Sequence, residues 1–209
     1  MKLYDCTTAP SPRRVRIFLA EKGIVVPRIQ VDLRAGEQFR PEFRAINPAC
    51  TVPVLEFDDG RRIAEVVAIC VYFEADHPDP PLMGIGAQNR GIVAAWQSRV
   101  EREGLWAVAE AFRNYTPGLK GRALPGPDDY DQIPALAERG RTRVARFFTA
   151  IDRELADREF IAGARYSIAD ITALVTVDFA GWIKLPIPDE CTHLQRWHKA
   201  VAARPSAAA

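Results

Sequence analysis

Apolar residues recur along this chain in two different ways, and the change between them falls near Pro78–Pro81. Before that point, short apolar runs alternate with helical stripes; after it, only the helical period is found. Lys2 to Asp5 reads as a first strand and Cys6 to Ser11 as a loop. Ser11-Pro12 predicts a helix start, with Ser as the N-cap and Pro in the first helical position. Val15, Phe18 and Leu19 supply one apolar stripe, and Gly23 closes the helix. Pro27 to Leu33 alternates, with Ile29 and Val31 apolar, and predicts a second strand, parallel to the first across a right-handed crossover.

A polar stretch from Arg34 to Ile46 follows, with one short helix near Pro41–Arg44. Next comes Asn47-Pro48-Ala49-Cys50-Thr51-Val52-Pro53, leading into the strand Val54–Phe57. Proline has no N–H, so Pro53 belongs at the start of this strand. A turn entering the strand there directs the Val52 peptide group outward, as a rail for another extended peptide; the alternative is a plain loop feeding a buried strand. Asp58-Asp59-Gly60 signals a hairpin, with Arg61 to Ile63 returning antiparallel. Glu65 then opens a helix that ends before His77.

Pro78–Pro81 is a stiff linker and marks the domain boundary: 1–78 forms an α/β domain, 79–87 the connection, and 88–209 an all-helical domain. Gln88 to Asn114 and Pro134 to Leu155 read as long helices, separated by a Gly- and Pro-rich loop from Tyr115 to Ile133. Ser167-Ile168-Ala169-Asp170 is a capping-box variant. It opens a helix apolar on every side through Ala180, which predicts a central, buried position. Trp197 and Val201 mark a last helix, stopped before Arg204-Pro205. The fold class is α/β plus all-α.

Composition narrows the function classes. The 209 residues are 48% hydrophobic and 26% charged, as in a globular protein. A net charge of +1 gives no nucleic-acid footprint. No apolar run is long enough to span a bilayer, and Met1–Cys6 lacks the pattern of an export signal. The four cysteines, Cys6, Cys50, Cys70 and Cys191, have no metal-ligand spacing. They read as reduced thiols of a cytoplasmic protein, with no metal expected.

Taken together, these segments resemble the glutathione S-transferase family, in particular its bacterial cytosolic-type members, along nearly the whole length. The resemblance is carried by Ser11-Pro12-Arg13-Arg14-Val15-Arg16, by Asn47-Pro48 with Val52-Pro53-Val54-Leu55, and by Ile63-Ala64-Glu65. Beyond the linker it is carried by Ser167-Ile168-Ala169-Asp170 and by Arg196-Trp197 with Arg204-Pro205. It implies a thioredoxin-like N-terminal domain (βαβ-ββα), an all-helical C-terminal domain, a homodimer, and glutathione as co-substrate beside the Val-Pro segment.

Glutathione chemistry uses the thiolate, and a helix N-terminus or a hydrogen-bond donor lowers a thiol pKa from its ordinary value of about 8.5. Ser11 is the hydroxyl placed for that at the first helix start, unless it only caps the helix. Thr8 is the alternative donor, since a common serine-type pattern puts its hydroxyl at position 10, here Pro10. Tyr4 lies inside the first strand and is assigned to the core.

The resemblance implies that the Val52 main chain, held by Pro53, pairs with the cysteinyl part of glutathione. It places Cys50 and Gln38 toward the glycyl end, with Arg34, Arg40 and Arg44 as other cations for that carboxylate. Cys50 is either a thiol that forms a mixed disulfide or a small inert one. Glu65 is expected to hold the ammonium or shape its turn. Val66 stands where the family usually has Ser, which removes a hydroxyl from the γ-glutamyl carboxylate and leaves the helix N–H groups.

Arg13, Arg14 and Arg16 are expected on a solvated or dimer-facing side of the first helix. Trp96, Trp106, Phe112 and Tyr115 either line a pocket for a second substrate or pack in the core. His77, His193 and His198 receive no catalytic role. The function implied is glutathione conjugation to a hydrophobic electrophile. The alternatives are a non-catalytic ligand- or protein-binding module and a glutathione-dependent disulfide reductase.

Overall fold

The computed structural model describes residues 1–209, which divide into two compact units. The first comprises residues 1–80, 125–128 and 209; the second comprises 81–124 and 129–208.

The first unit runs β1 (Lys2–Asp5), α1 (Pro10–Glu21), β2 (Arg28–Gln30), α2 (Pro41–Arg44), β3 (Val54–Glu56), β4 (Arg62–Ala64) and α3 (Val66–Asp76). The sheet order is β2-β1-β3-β4. β2 lies parallel to β1, as the crossover requires, and the other pairs are antiparallel. α1 and α3 pack on one another. Leu3, Ile17, Phe18, Leu55, Ile69 and Phe73 are wholly buried in this unit. Gly23, at φ 66°, closes α1 as expected: its amide bonds Ala20 O, and the Ile24 amide returns to Leu19 O.

Three expectations change here. α1 begins at Pro10, with Ala9 as its N-cap in extended conformation, so Ser11 lies inside the first turn and does not cap it. Pro10 fits the first helical position as well as Pro12 does, and the Ala9 amide is already bonded to Cys6 O in the preceding turn. β2 is shorter than Pro27–Leu33, because an edge strand has only one neighbour; its three residues are exposed, while Val31 beyond it is buried and Leu33 packs against the same core cluster. Arg14 and Arg16, expected on a solvated or dimer-facing side, are buried.

The second unit contains α4 (Gly86–Val100), α5 (Trp106–Tyr115), α6 (Pro134–Glu154), α7 (Ile168–Trp182) and α8 (Thr192–Ala202). The single helix expected over Gln88–Asn114 is two, joined through a π-helical turn at Glu101–Leu105. Packing explains the widened turn. Gly104 sits so close to α6 and α7 that a Cβ would fall 2.7 Å from Phe147 Cζ and 3.0 Å from Thr176 Cγ2. α7 is central, as its apolar sequence predicts: Ile168 to Val177 are all buried.

Asp170 holds α7 in place. Its Oδ2 accepts from the Ser167 amide and hydroxyl, both at 3.0 Å. Its Oδ1 accepts from the Ile161 amide at 2.8 Å and Trp197 Nε1 at 2.9 Å. Burial pushes the Asp170 carboxyl up to about 6, while the four donors pull the other way.

Candidate active site

The strand register gathers the candidate residues of the first unit at one end of its sheet. Tyr4 is opposite Val54, Val54 is opposite Ala64, and Asp5 is beside Gln30. Continuing the pairing by one residue sets Pro53 between Asp5 and Glu65. The entrance to β3, the exit from β1, the exit from β2 and the start of α3 therefore share that end. Val52 packs there in an apolar cluster with Cys6, Val31 and Phe43, bordered by Ala9 and Leu33.

The turn before β3 is organised by Asn47, a buried residue. Its Nδ2 donates to Thr51 O at 2.8 Å and Thr51 Oγ1 at 3.1 Å, and its Oδ1 accepts the Ala49 amide at 3.1 Å. Its main-chain oxygen accepts the Cys50 amide at 2.9 Å. Cys50 adopts φ 54°, a left-handed conformation uncommon outside glycine and asparagine. These bonds leave the Val52 amide and carbonyl unused by the protein, just before a cis Val52–Pro53 peptide. The Cys50 thiol is buried and lies 3.5 Å from Pro48 O.

A buried ion pair shapes the loop between β1 and α1. Arg16 donates to Asp5 Oδ1 at 2.6 Å, to Cys6 O at 3.3 Å and to Thr7 O at 2.9 Å. Gln30 donates to Asp5 Oδ2 at 3.0 Å and accepts from the Thr7 amide and hydroxyl at 3.0 and 2.9 Å. The backbone of Cys6 and Thr7 is thus fixed on both sides, and Thr7 is committed to structure. Thr8 is exposed, its hydroxyl 3.6 Å from the Cys6 thiol.

The first turn of α1 carries an unusual donor arrangement. Pro10 and Pro12 have no N–H, and the Ala9 amide is bonded. Ser11 therefore supplies the only free main-chain donor of that turn, together with a half-buried hydroxyl. At α3, the amides of Val66, Val67 and Ala68 lie before the first helical bond, which runs from Ile69 to Glu65 O. Glu65 itself is exposed and takes φ 91°, a strained conformation for a non-glycine residue. That backbone turns the strand into the helix so that these amides face outward from its end. Val66 is buried. Gln38, on a short 3-10 turn at Glu37–Phe39, has a buried Oε1 with no protein donor.

Ser11, Val52, Pro53, Glu65 and Val66 thus come together through the sheet register, and Gln38 and Cys50 lie on the loops leaving and entering the same end. Tyr4 points elsewhere: its ring packs edge-on to Phe43 and its hydroxyl reaches Glu56 at 3.4 Å. Sequence reading attached no role to Asp5 or Gln30. It expected Arg16 on a solvated or dimer-facing side of α1, and Asn47 entered only as the first residue of the Asn47-Pro48 and Val52-Pro53 segment.

In the helical unit, Phe112 joins Phe179 and Trp182 in a cluster of edge-on rings at 5.0–5.9 Å, with Trp182 half exposed. Trp96 instead carries the Arg99 and Arg158 guanidinium groups over its ring, at 4.8 and 5.6 Å. Trp106 and Tyr115 are exposed. No group of three His, Cys, Asp or Glu side chains is placed to hold a metal ion.

Comparison with known proteins agrees with this architecture. Residues 8–76 match the glutathione S-transferase N-terminal domain model, and residues 116–205 match the C-terminal domain model. Glutathione S-transferase 2 of Saccharomyces cerevisiae is 38% identical over 99% of this chain and 87% of its own length. The crystal structure of Gtt2 from Saccharomyces cerevisiae superposes with a TM-score of 0.91 at 38% identity, covering 99% of this chain and 98% of the other. A glutathione S-transferase domain-containing protein of Marinobacter aquaeolei gives a TM-score of 0.90 at 40% identity, covering 99% of both chains. The first unit is thioredoxin-like and the second all-helical, as in these structures. Likeness on this scale, over both units at once, makes the chain a member of the glutathione S-transferase family.

Proposed function

We propose that the protein is a glutathione transferase that binds glutathione along the Val52 main chain and activates its thiol at Ser11 for attack on a hydrophobic electrophile. The observation that carries this reading is the unused Val52 peptide group, fixed by Asn47 at the same sheet end as the α1 and α3 N-termini. The cysteinyl residue pairs with Val52 as an added strand would. Its sulfur then lies toward α1, where the Ser11 amide and hydroxyl and the helix dipole favour the thiolate. The free α3 amides receive the γ-glutamyl carboxylate, Glu65 the ammonium, and Gln38 the glycyl end. The thiol gives up its proton to solvent and the thiolate forms an S–C bond; either the electrophile's leaving group departs with its bonding pair, or a conjugated double bond takes up the pair and is then protonated from solvent.

Calorimetric titration with glutathione tests this reading, and no heat at millimolar concentration would overturn it. The role of Ser11 has its own test. Ser11→Ala keeps the amide and removes the hydroxyl, so the pKa of enzyme-bound glutathione, read from thiolate absorbance, should rise by about one unit. An unmoved titration would leave the hydroxyl without a part in activation.

Val66 favours a second reading, a binding module with weakened glutathione affinity, because the γ-glutamyl carboxylate meets amides alone. Val66→Ser should tighten glutathione about tenfold, equivalent to one charged hydrogen bond of about 1–2 kcal/mol. An unchanged Kd would count against a carboxylate at α3. A disulfide reductase is disfavoured, since all four free cysteines are buried. No helix is long and apolar enough to cross a membrane. By its family likeness, the reading extends to a homodimeric cytoplasmic enzyme of detoxification.

A further inference from the structure

The segment that follows α5 contributes four residues to the first unit. Pro125, Gly126, Pro127 and Asp128 group with residues 1–80. Within that unit, Gly126 lies against the turn that Asn47 organises: a Cβ there would stand 4.0 Å from Ala49 O. Gly126 has φ 125°, which L side chains rarely adopt, and it is flanked by two prolines whose φ is fixed. The loop around it is closed by the Ala123 amide on Tyr130 O at 3.0 Å and the Tyr130 amide on Gly121 O at 2.9 Å. Arg113 adds bonds to Arg122 O at 2.6 Å and Leu124 O at 2.8 Å. The tip is therefore stiff and held, and Asp128 brings an exposed carboxylate to it.

We propose that Pro125–Asp128 is the end wall of the glutathione groove and sets the length of thiol peptide that the site accepts. This rests on the glutathione reading above. With the cysteinyl residue on Val52 and the γ-glutamyl end at α3, the C-terminal end of the peptide runs back past Cys50 toward Ala49. That is where Gly126 stands. A terminal glycine ends short of the wall, whereas a further residue meets stiff backbone and the Asp128 charge.

The test compares glutathione with γ-Glu-Cys-Gly-Gly by calorimetry, on the full chain and on a variant with Pro125–Asp128 shortened to Gly-Gly. The full chain should prefer glutathione by about tenfold or more, and the shortened variant should bind both peptides within about twofold. Equal affinities in the full chain, or a preference that survives the shortening, would overturn the wall. Binding of neither peptide by the full chain would instead overturn the glutathione reading. Gly126→Val provides an independent check: a branched side chain filling the space beside the Ala49 carbonyl should raise the glutathione Kd about fivefold, and an unchanged value would also count against the wall.

Discussion

Replacing Asp170 by alanine should lower the stability of the helical unit by about 3 kcal/mol or more, read as a shift of its urea midpoint. The wild-type carboxylate accepts from Ser167, Ile161 and Trp197, and all of these lie in the buried interior. Alanine strands two main-chain amides and an indole N–H. Each unsatisfied buried donor costs about 1–3 kcal/mol, against a total stability of about 5–15 kcal/mol for a typical domain. The effect is large because the three donors belong to different segments: the approach to α7, its N-cap and α8. An unshifted midpoint would show that these donors find other acceptors.

The same carboxyl gives a pH signature. Its folded value of about 6 lies above the ordinary aspartate value of about 4. Ionisation is therefore easier in the unfolded chain. The stabilisation it confers is full below pH about 4 and is lost as pH rises through about 6. Relative to Asp170→Asn, which does not titrate, the wild type should lose about 3 kcal/mol between those limits. A constant difference would contradict the raised value.

Arg16→Met should affect both stability and the site. It leaves Asp5, wholly buried, with only the half-exposed Arg28 guanidinium at 4.0 Å; removing one partner of a buried pair costs about 3–5 kcal/mol. It also releases the Cys6 and Thr7 carbonyls, so the loop that carries Thr8 to Ser11 loses its fixed course. Turnover should fall about tenfold or more, because a thiol placed away from its donor is no longer preorganised. Arg16→Lys separates the two roles. An ammonium can still pair with Asp5 but cannot span both carbonyls in a fork. It should recover most of the stability and little of the turnover. Full recovery of both would reduce Arg16 to a charge partner.

Local chemistry made much of this molecule legible in its sequence. Alternation and helical stripes are set by which face of an element meets the core, so β1, β3, the hairpin, α3 and the buried α7 could be read directly. Gly23 and Ser167-x-x-Asp170 marked helix ends because their conformations and hydrogen bonds are local. Val52-Pro53 could be singled out because proline restricts where a strand begins. Other features were settled only by residues far apart in the chain. Two prolines compete for the start of α1, and the bonded Ala9 amide chose between them. Arginine on an amphipathic helix reads as solvated; Arg16 is buried because the crossover brings it to Asp5 and to two carbonyls of the loop. The π-helical turn arises where Gly104 meets α6 and α7, and no pattern within α4 announces it. Asn47 and Pro125–Asp128 show the same division. The turn type is written in the residues, but which peptide groups it leaves free, and what stands beside them, depends on the packed chain.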